Sequence, residues 1–179
     1  CVLWIDVIEK AFSGVGGNND IMTRMFGYFL SWMQEKQSSV YAIATANNAD
    51  NLPPELKRKG RFDEIFCVNL PNKEERKDIF KIHIEKKKKS LDETALNSVS
   101  QITDGFNGAD IESVVNEAVE KCFIDSLENK GTTLDERLLK DIASKTISIS
   151  KSCKKQIENM NKAFKENNFK DATTGEITK

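Results

Sequence analysis

Residues 44–83 read ATANNADNLPPELKRKGRFDEIFCVNLPNKEERKDIFKIH. The stretch changes character twice. It begins as the end of an apolar run, Val40 to Thr45, closed by Ala46-Asn47-Asn48. Such a run fits a buried strand that ends in a polar turn. Pro53-Pro54 then opens a short helical turn, which Lys59-Gly60 ends, because proline suits a first helical position and glycine a stop. Ile65 to Val68 is a further short apolar strand. From Pro71 onward the signals are helical: Asn72 stands three residues before Glu75, the spacing of a capping box. A domain boundary is therefore expected near Asn69–Asn72.

Upstream, residues 1–5 form a continuous apolar run ending at Asp6, again the pattern of a buried parallel strand. A Gly/Asn loop runs from Ser13 to Asp20. Met22, Met25, Phe26, Phe29 and Met33 then recur at helical spacing. Strand, helix, strand, turn, strand is the order of an α/β layer. Downstream, Asn107 precedes a helix striped by Ile111, Val114, Val115, Ala118 and Cys122. Thr133 lies three residues before Glu136, a second capping-box spacing. Leu134, Leu138 and Ile142 make a shorter stripe. Cys153, Ile157, Met160 and Phe164 make a last one, which packs on the helical domain or docks a partner. The polar chain from Lys165 is expected to fray. The expected organisation is an α/β part over residues 1–70, a small all-α domain over 71–145, and a helix with a flexible tail over 146–179.

Composition narrows the function classes. The chain has 179 residues, 39% hydrophobic and 31% charged, with a net charge of −1. Nothing in that balance draws it to nucleic acid or an anionic membrane. No apolar run approaches the roughly 20 residues of a membrane helix. Four cysteines without a CxxC or Cys/His cluster fit reduced thiols in a reducing compartment. The run Lys86–Lys89 ends an amphipathic stretch and reads as a solvated helix terminus, where cations are favourable. An opening of Cys1-Val2-Leu3-Trp4-Ile5 without Met gives the expectation of a chain that starts mid-protein.

The chemistry gathers at strand ends. Asp6 closes four hydrophobic residues, where an acid can hold Mg²⁺ beside nucleotide phosphates. Many buried strands end this way, so the pattern gains weight only from its neighbours in the chain. Asn47, at the end of the next apolar strand, carries an amide that can orient water. Arg58 and Arg61, three residues apart, are solvated charges or fingers aimed at another subunit's phosphates. Arginine suits the second role because its fork stays charged.

These residues, with CVLWIDVIEKAFSG, FLSWMQEK and LPPELKRKGRFDEIF, resemble the second half of the AAA ATPase module. The nearest likeness is to the hypothetical-chloroplast-reading-frame AAA proteins of plastids and bacteria. The resemblance covers about residues 1–145. It implies the C-terminal part of a P-loop α/β domain, a parallel sheet with helices, followed by a helical lid. It implies Asp6 as the Walker B acid and metal ligand, Asn47 as sensor 1, and Arg58 and Arg61 as arginine fingers acting in trans. His83 matches a lid histidine near the base or ribose. Gly105 to Asp110 matches a lid motif whose Gly108-Ala109 backbone approaches the nucleotide, with Asn107 in place of the usual Ser. ATP and Mg²⁺ are the implied cofactors. A homo-oligomeric ring, by family habit a hexamer, and a protein substrate are the implied partners.

Two departures matter. The residue after the Walker B acid, usually a water-polarising Glu, is Val7. Loss of such a group costs on the order of 10²–10⁴ in rate. Glu9 lies on the same side of an extended strand as position 7, ~6.5 Å farther along, and is not expected to reach. A GxxxxGK[ST] loop is absent; Ser13-Gly14-Val15-Gly16-Gly17-Asn18 lacks its Lys and hydroxyl. It reads as a loop, facing a ring's pore or merely flexible. By itself the chain is expected to bind ATP poorly and to be inactive. Two functions stay open for the whole protein: an ATPase remodelling subunit, or a nucleotide-binding scaffold that has lost hydrolysis.

Overall fold

The computed structural model describes residues 1–12, 20–35, 39–48, 51–58, 60–167 and 169–173. The chain divides into two compact units: Cys1–Val68 with Glu158–Lys179, and Asn69–Ile157.

The first unit is α/β. Strand β1 (Val2–Ile5) pairs in parallel with β2 (Tyr41–Ala44), with Ile5 opposite Ala44. A one-turn helix α1 (Ile8–Ala11) comes after β1, and α2 (Asp20–Glu35) precedes β2. Ile8, Phe26 and Leu56 form the buried centre, with Ile5, Phe12, Phe29, Leu30 and Ala44 around them. Phe12 lies against both Phe26 and Phe29, ring centroids 4.9 and 5.1 Å away. The apolar stripe of α2 is correct at Phe26 and Met33, but Met25 is 55% exposed. The Ser13–Asn18 loop lies outside the described residues. Pro54–Lys57 forms a 3-10 turn with proline at its start.

The third strand, β3 (Phe66–Cys67), does not extend the first sheet. It pairs in parallel with β4 (Lys170–Asp171), near the C-terminus. Lys170 Nζ binds Glu64 Oε1 at 2.7 Å, and Phe169 covers the fully buried Cys67. Fraying from Lys165 is therefore not what the structure has. Helix α8 (Lys154–Asn167) runs on, and the chain returns as a strand because Phe164 and Phe169 gain burial against Ile65 and Cys67.

The second unit is all helical: α3 (Lys73–Lys86), α4 (Glu93–Ile102), α5 (Gly108–Leu127), α6 (Glu136–Lys145) and α7 (Ile149–Ser152). Its core joins Phe80, Ile84, Val99, Ile111, Val114, Val115, Leu139 and Ile142, each almost wholly buried. The capping box at Asn72 forms in both directions with Glu75, and Asn107 forms one with Asp110. The box expected at Thr133 does not form. Asp135 caps α6 by accepting from the Leu138 N–H at 2.8 Å, and Glu136 turns instead to Ser98 and Lys140, both 2.6 Å away. Lys86–Lys89 stand exposed at the end of α3, the solvated terminus the sequence predicts. Arg76 is the buried cation of this unit, only 5% exposed. Its guanidinium donates to the carbonyls of Ser100 and Pro71 and pairs with the exposed Asp104.

Candidate functional site

In the α/β unit the parallel register brings the exits of β1 and β2 side by side. Thr45 laces them together. Its N–H donates to Ile5 O at 2.9 Å and its carbonyl accepts from Ile8 N–H at 2.9 Å. Its hydroxyl donates to Asp6 Oδ1 at 2.5 Å and accepts from Val7 N–H at 3.0 Å. Asp6 is thus held by one oxygen at the carboxyl end of its strand while the residue stays exposed. Asn47, also exposed, leaves the adjacent strand at the same end.

Val7 has φ 51° and ψ 55°, in the left-handed region, a genuine outlier for a β-branched residue. The chain turns there and α1 starts at Ile8. Strand alternation therefore stops at Ile5 and does not govern Glu9. Glu9 folds back, 8% exposed, and its Oε1 accepts from the backbone N–H of Asn47 at 2.9 Å. Its Oε2 is buried with no partner among the described residues. Reasoning from sequence sets Glu9 aside and passes over the side chain of Thr45. A strand-end hydroxyl opposite a strand-end acid, and an acid three residues beyond Asp6, are the signals that point to them.

Arg58 and Arg61 differ. Arg58 is exposed. Arg61 is half-buried, and its Nη1 donates to the carbonyl of Glu55 at 2.6 Å in its own chain. The two do not present equally free guanidinium groups.

In the helical unit, His83 lies in the last turn of α3 with its side chain 15% exposed, and Nδ1 is 3.6 Å from Glu112 Oε1 on α5. Glu112 is one turn beyond Gly108 and Ala109, so the histidine and the start of α5 are neighbours. Asp110 Oδ2 accepts from both Asn107 N–H and Ile149 N–H, near 3.0 Å, which fixes that start to α7. Gly105 has φ 78°, and a Cβ there would come within 2.1 Å of Ser150 Oγ, so only glycine fits. A Cβ at Gly108 would meet nothing within 4 Å.

No group of three His, Cys, Asp or Glu side chains suited to a metal lies among the described residues. Asp6 fits Mg²⁺, which keeps several waters and takes one or two carboxylates. No described helix is long and apolar enough to cross a membrane.

A parallel strand pair with helices, followed in the chain by a capped helical domain, is the arrangement of an α/β protein with a helical lid. Residues 1–70 match the ATPase family associated with various cellular activities (AAA), and residues 93–137 match the AAA+ lid domain. The chain belongs to the AAA family. It is 48% identical over 131 residues to the AAA domain-containing protein ycf46 of Guillardia theta, covering 72% of this chain and 26% of that protein. It is 40% identical over 163 residues to ycf46 of Pyropia yezoensis, covering 89% of this chain and 32% of the relative. It is also 36% identical over 125 residues to the ATP-dependent zinc metalloprotease FTSH 7, chloroplastic, of Arabidopsis thaliana, covering 64% of this chain and 15% of that protein. The chain spans about a quarter to a third of the length of the ycf46 relatives.

Proposed function

We propose that this chain supplies the metal-holding, water-positioning and lid portions of an AAA ATP site, and that a phosphate-binding loop outside these 179 residues completes it. The observation that carries this reading is the Thr45 lacing, which sets Asp6 and Asn47 at one end of a parallel strand pair. When bound, ATP with Mg²⁺ supplies the scissile phosphoanhydride and the cation that neutralises it. Asp6 would hold the metal, and the amide of Asn47 would orient the attacking water. Arg58 reaches toward the phosphates of an adjoining copy in a homo-oligomeric, hexameric ring. Arg61 stiffens the same turn and adds its charge. His83, Gly108 and Ala109, within the lid over residues 71–145, would contact the base and ribose. Lid movement with nucleotide state passes the change to a protein substrate. The proposed setting is plastid stroma or cytoplasm, and the metalloprotease named as chloroplastic among the relatives favours the plastid.

Val7 favours a second reading of the same site, as a subunit that binds ATP but hydrolyses it slowly. Its side chain neither accepts a proton nor orients water. In the full-length protein, Val7→Glu is expected to raise ATP turnover about 10²-fold or more, measured as phosphate release with saturating Mg²⁺. Bound ATP with no rise in turnover refutes the assignment of slow hydrolysis to position 7. Failure to bind ATP at all refutes the site.

A further inference from the structure

We infer that Glu9 is a positioning residue for Asn47, holding the water-orienting loop in register with the metal-holding acid; this rests on the ATP-site reading. Acidic side chains are almost never fully buried unless paired, yet Glu9 is 8% exposed. Its Oε1 accepts from the Asn47 backbone N–H, 38 residues away in sequence, at 2.9 Å. Burying a carboxylate with one oxygen unpartnered is costly. What the placement achieves is geometric. Asp6 is tied to β2 through the Thr45 hydroxyl, and three residues later Glu9 is tied to the loop that leaves β2. The left-handed turn at Val7 makes this reach available. Asp6, Thr45, Glu9 and Asn47 thereby form one laced unit, and the spacing between the metal side and the water side of the site is set by two side chains and not by loop length. Glu9 acts through Asn47, and its second oxygen is shielded from solvent without a partner among the described residues.

The test uses the full-length protein with Glu9→Ala and Glu9→Gln. Gln retains an oxygen that can accept from the Asn47 N–H; Ala does not. Single-turnover ATP hydrolysis should fall about 10²-fold in E9A, the scale of an ångström-level misplacement. Affinity for a fluorescent ATP analogue should stay within about threefold, since the bond contributes no ligand contact. E9Q should restore hydrolysis to within about threefold of the parent. Hydrogen exchange at the Asn47 amide should speed up in E9A and return toward the parent rate in E9Q. An E9Q as slow as E9A overturns the proposal in favour of carboxylate chemistry at position 9. An E9A with unchanged hydrolysis and unchanged Asn47 exchange also overturns it. If neither parent nor variants bind the analogue, the ATP-site reading fails, while the Asn47 exchange rates still decide whether Glu9 holds the loop.

Discussion

The two units of this molecule are built to different standards. The helical unit gathers Phe80, Ile84, Leu96, Val99, Ile111, Val114, Leu139 and Ile142 into one cluster fed by four helices, each with a side-chain N-cap. The α/β unit has two small buried clusters among its described residues and leaves Val2, Trp4, Ile21, Tyr28 and Tyr41 more than 60% exposed. Among the described residues its sheets have two strands each, and a two-stranded pairing is marginal by itself in water. A helix closes its own backbone bonds and needs only one apolar stripe covered. A strand depends on neighbours along both edges. Within these residues the lid is the more fully covered unit, and the α/β unit carries the strain, at Val7 and at Glu9.

The largest expected effect tests the more fully covered side. Phe80 is fully buried, and Phe80→Ala should cost about 4 kcal/mol. Both tryptophans, Trp4 and Trp32, lie in the α/β unit. The loss should therefore appear as an earlier circular-dichroism transition while the tryptophan fluorescence transition holds. Coincident early transitions would mean that the units unfold as one and that the contrast is false.

A smaller effect tests the strained side. Asn enters the left-handed region far more readily than Val, and a non-glycine residue held there costs about 1–3 kcal/mol. Val7→Asn should stabilise the fluorescence-detected transition in denaturant by about 1 kcal/mol. Destabilisation would show that packing of the valine side chain outweighs the backbone strain.

The smallest effect is acid sensitivity of the lid. The Glu136 carboxyl is held below its ordinary value of 4.5 by hydrogen bonds from Lys140 and then Ser98. Asp141 is lowered from 3.8 by its bond from Lys145, and Glu93 from 4.5 by its bond from Lys77. A carboxylate lowered in the folded state adds stability that is present in full above its unfolded pKa and is lost as pH falls through the folded value. The Asp141–Lys145 pair is exposed and the other two are in part open to solvent, so each contributes little. Melts of the lid from about pH 6 to about pH 3 should show a modest acid loss that Glu136→Gln reduces. An identical acid slope in that variant would remove the Lys140–Glu136–Ser98 link from the lid's pH dependence.

The nucleotide side of the site is partly legible in the sequence. Asp6 and Asn47 can be set at strand ends because apolar runs broken by polar residues mark where a buried strand stops, and parallel pairing then aligns the two exits. Val7's backbone is not legible, since valine itself disfavours that region and only the surrounding bonds to Thr45 and from α1 hold it there. Without that turn, Glu9 points along a strand and out of reach. Arg61 looks equivalent to Arg58 in sequence, because no pattern reveals that a carbonyl six residues earlier captures one guanidinium.

What the chain's own order determined is what short-range chemistry decides. Asn72 and Asn107 cap helices because their side chains reach an N–H three residues on. Gly105 and the stripe of α5 arise from backbone freedom and a 3.6-residue period. Tertiary structure alone decided which competitor won where several were available: Asp135 over Thr133 as a cap, β4 over the first sheet as the partner of β3, and Asn47 as the partner of a buried Glu9. Each of those outcomes depends on groups distant in sequence, or on adjacent groups whose local preferences are nearly equal, so their free energies are settled only when the folded chain brings the competitors face to face.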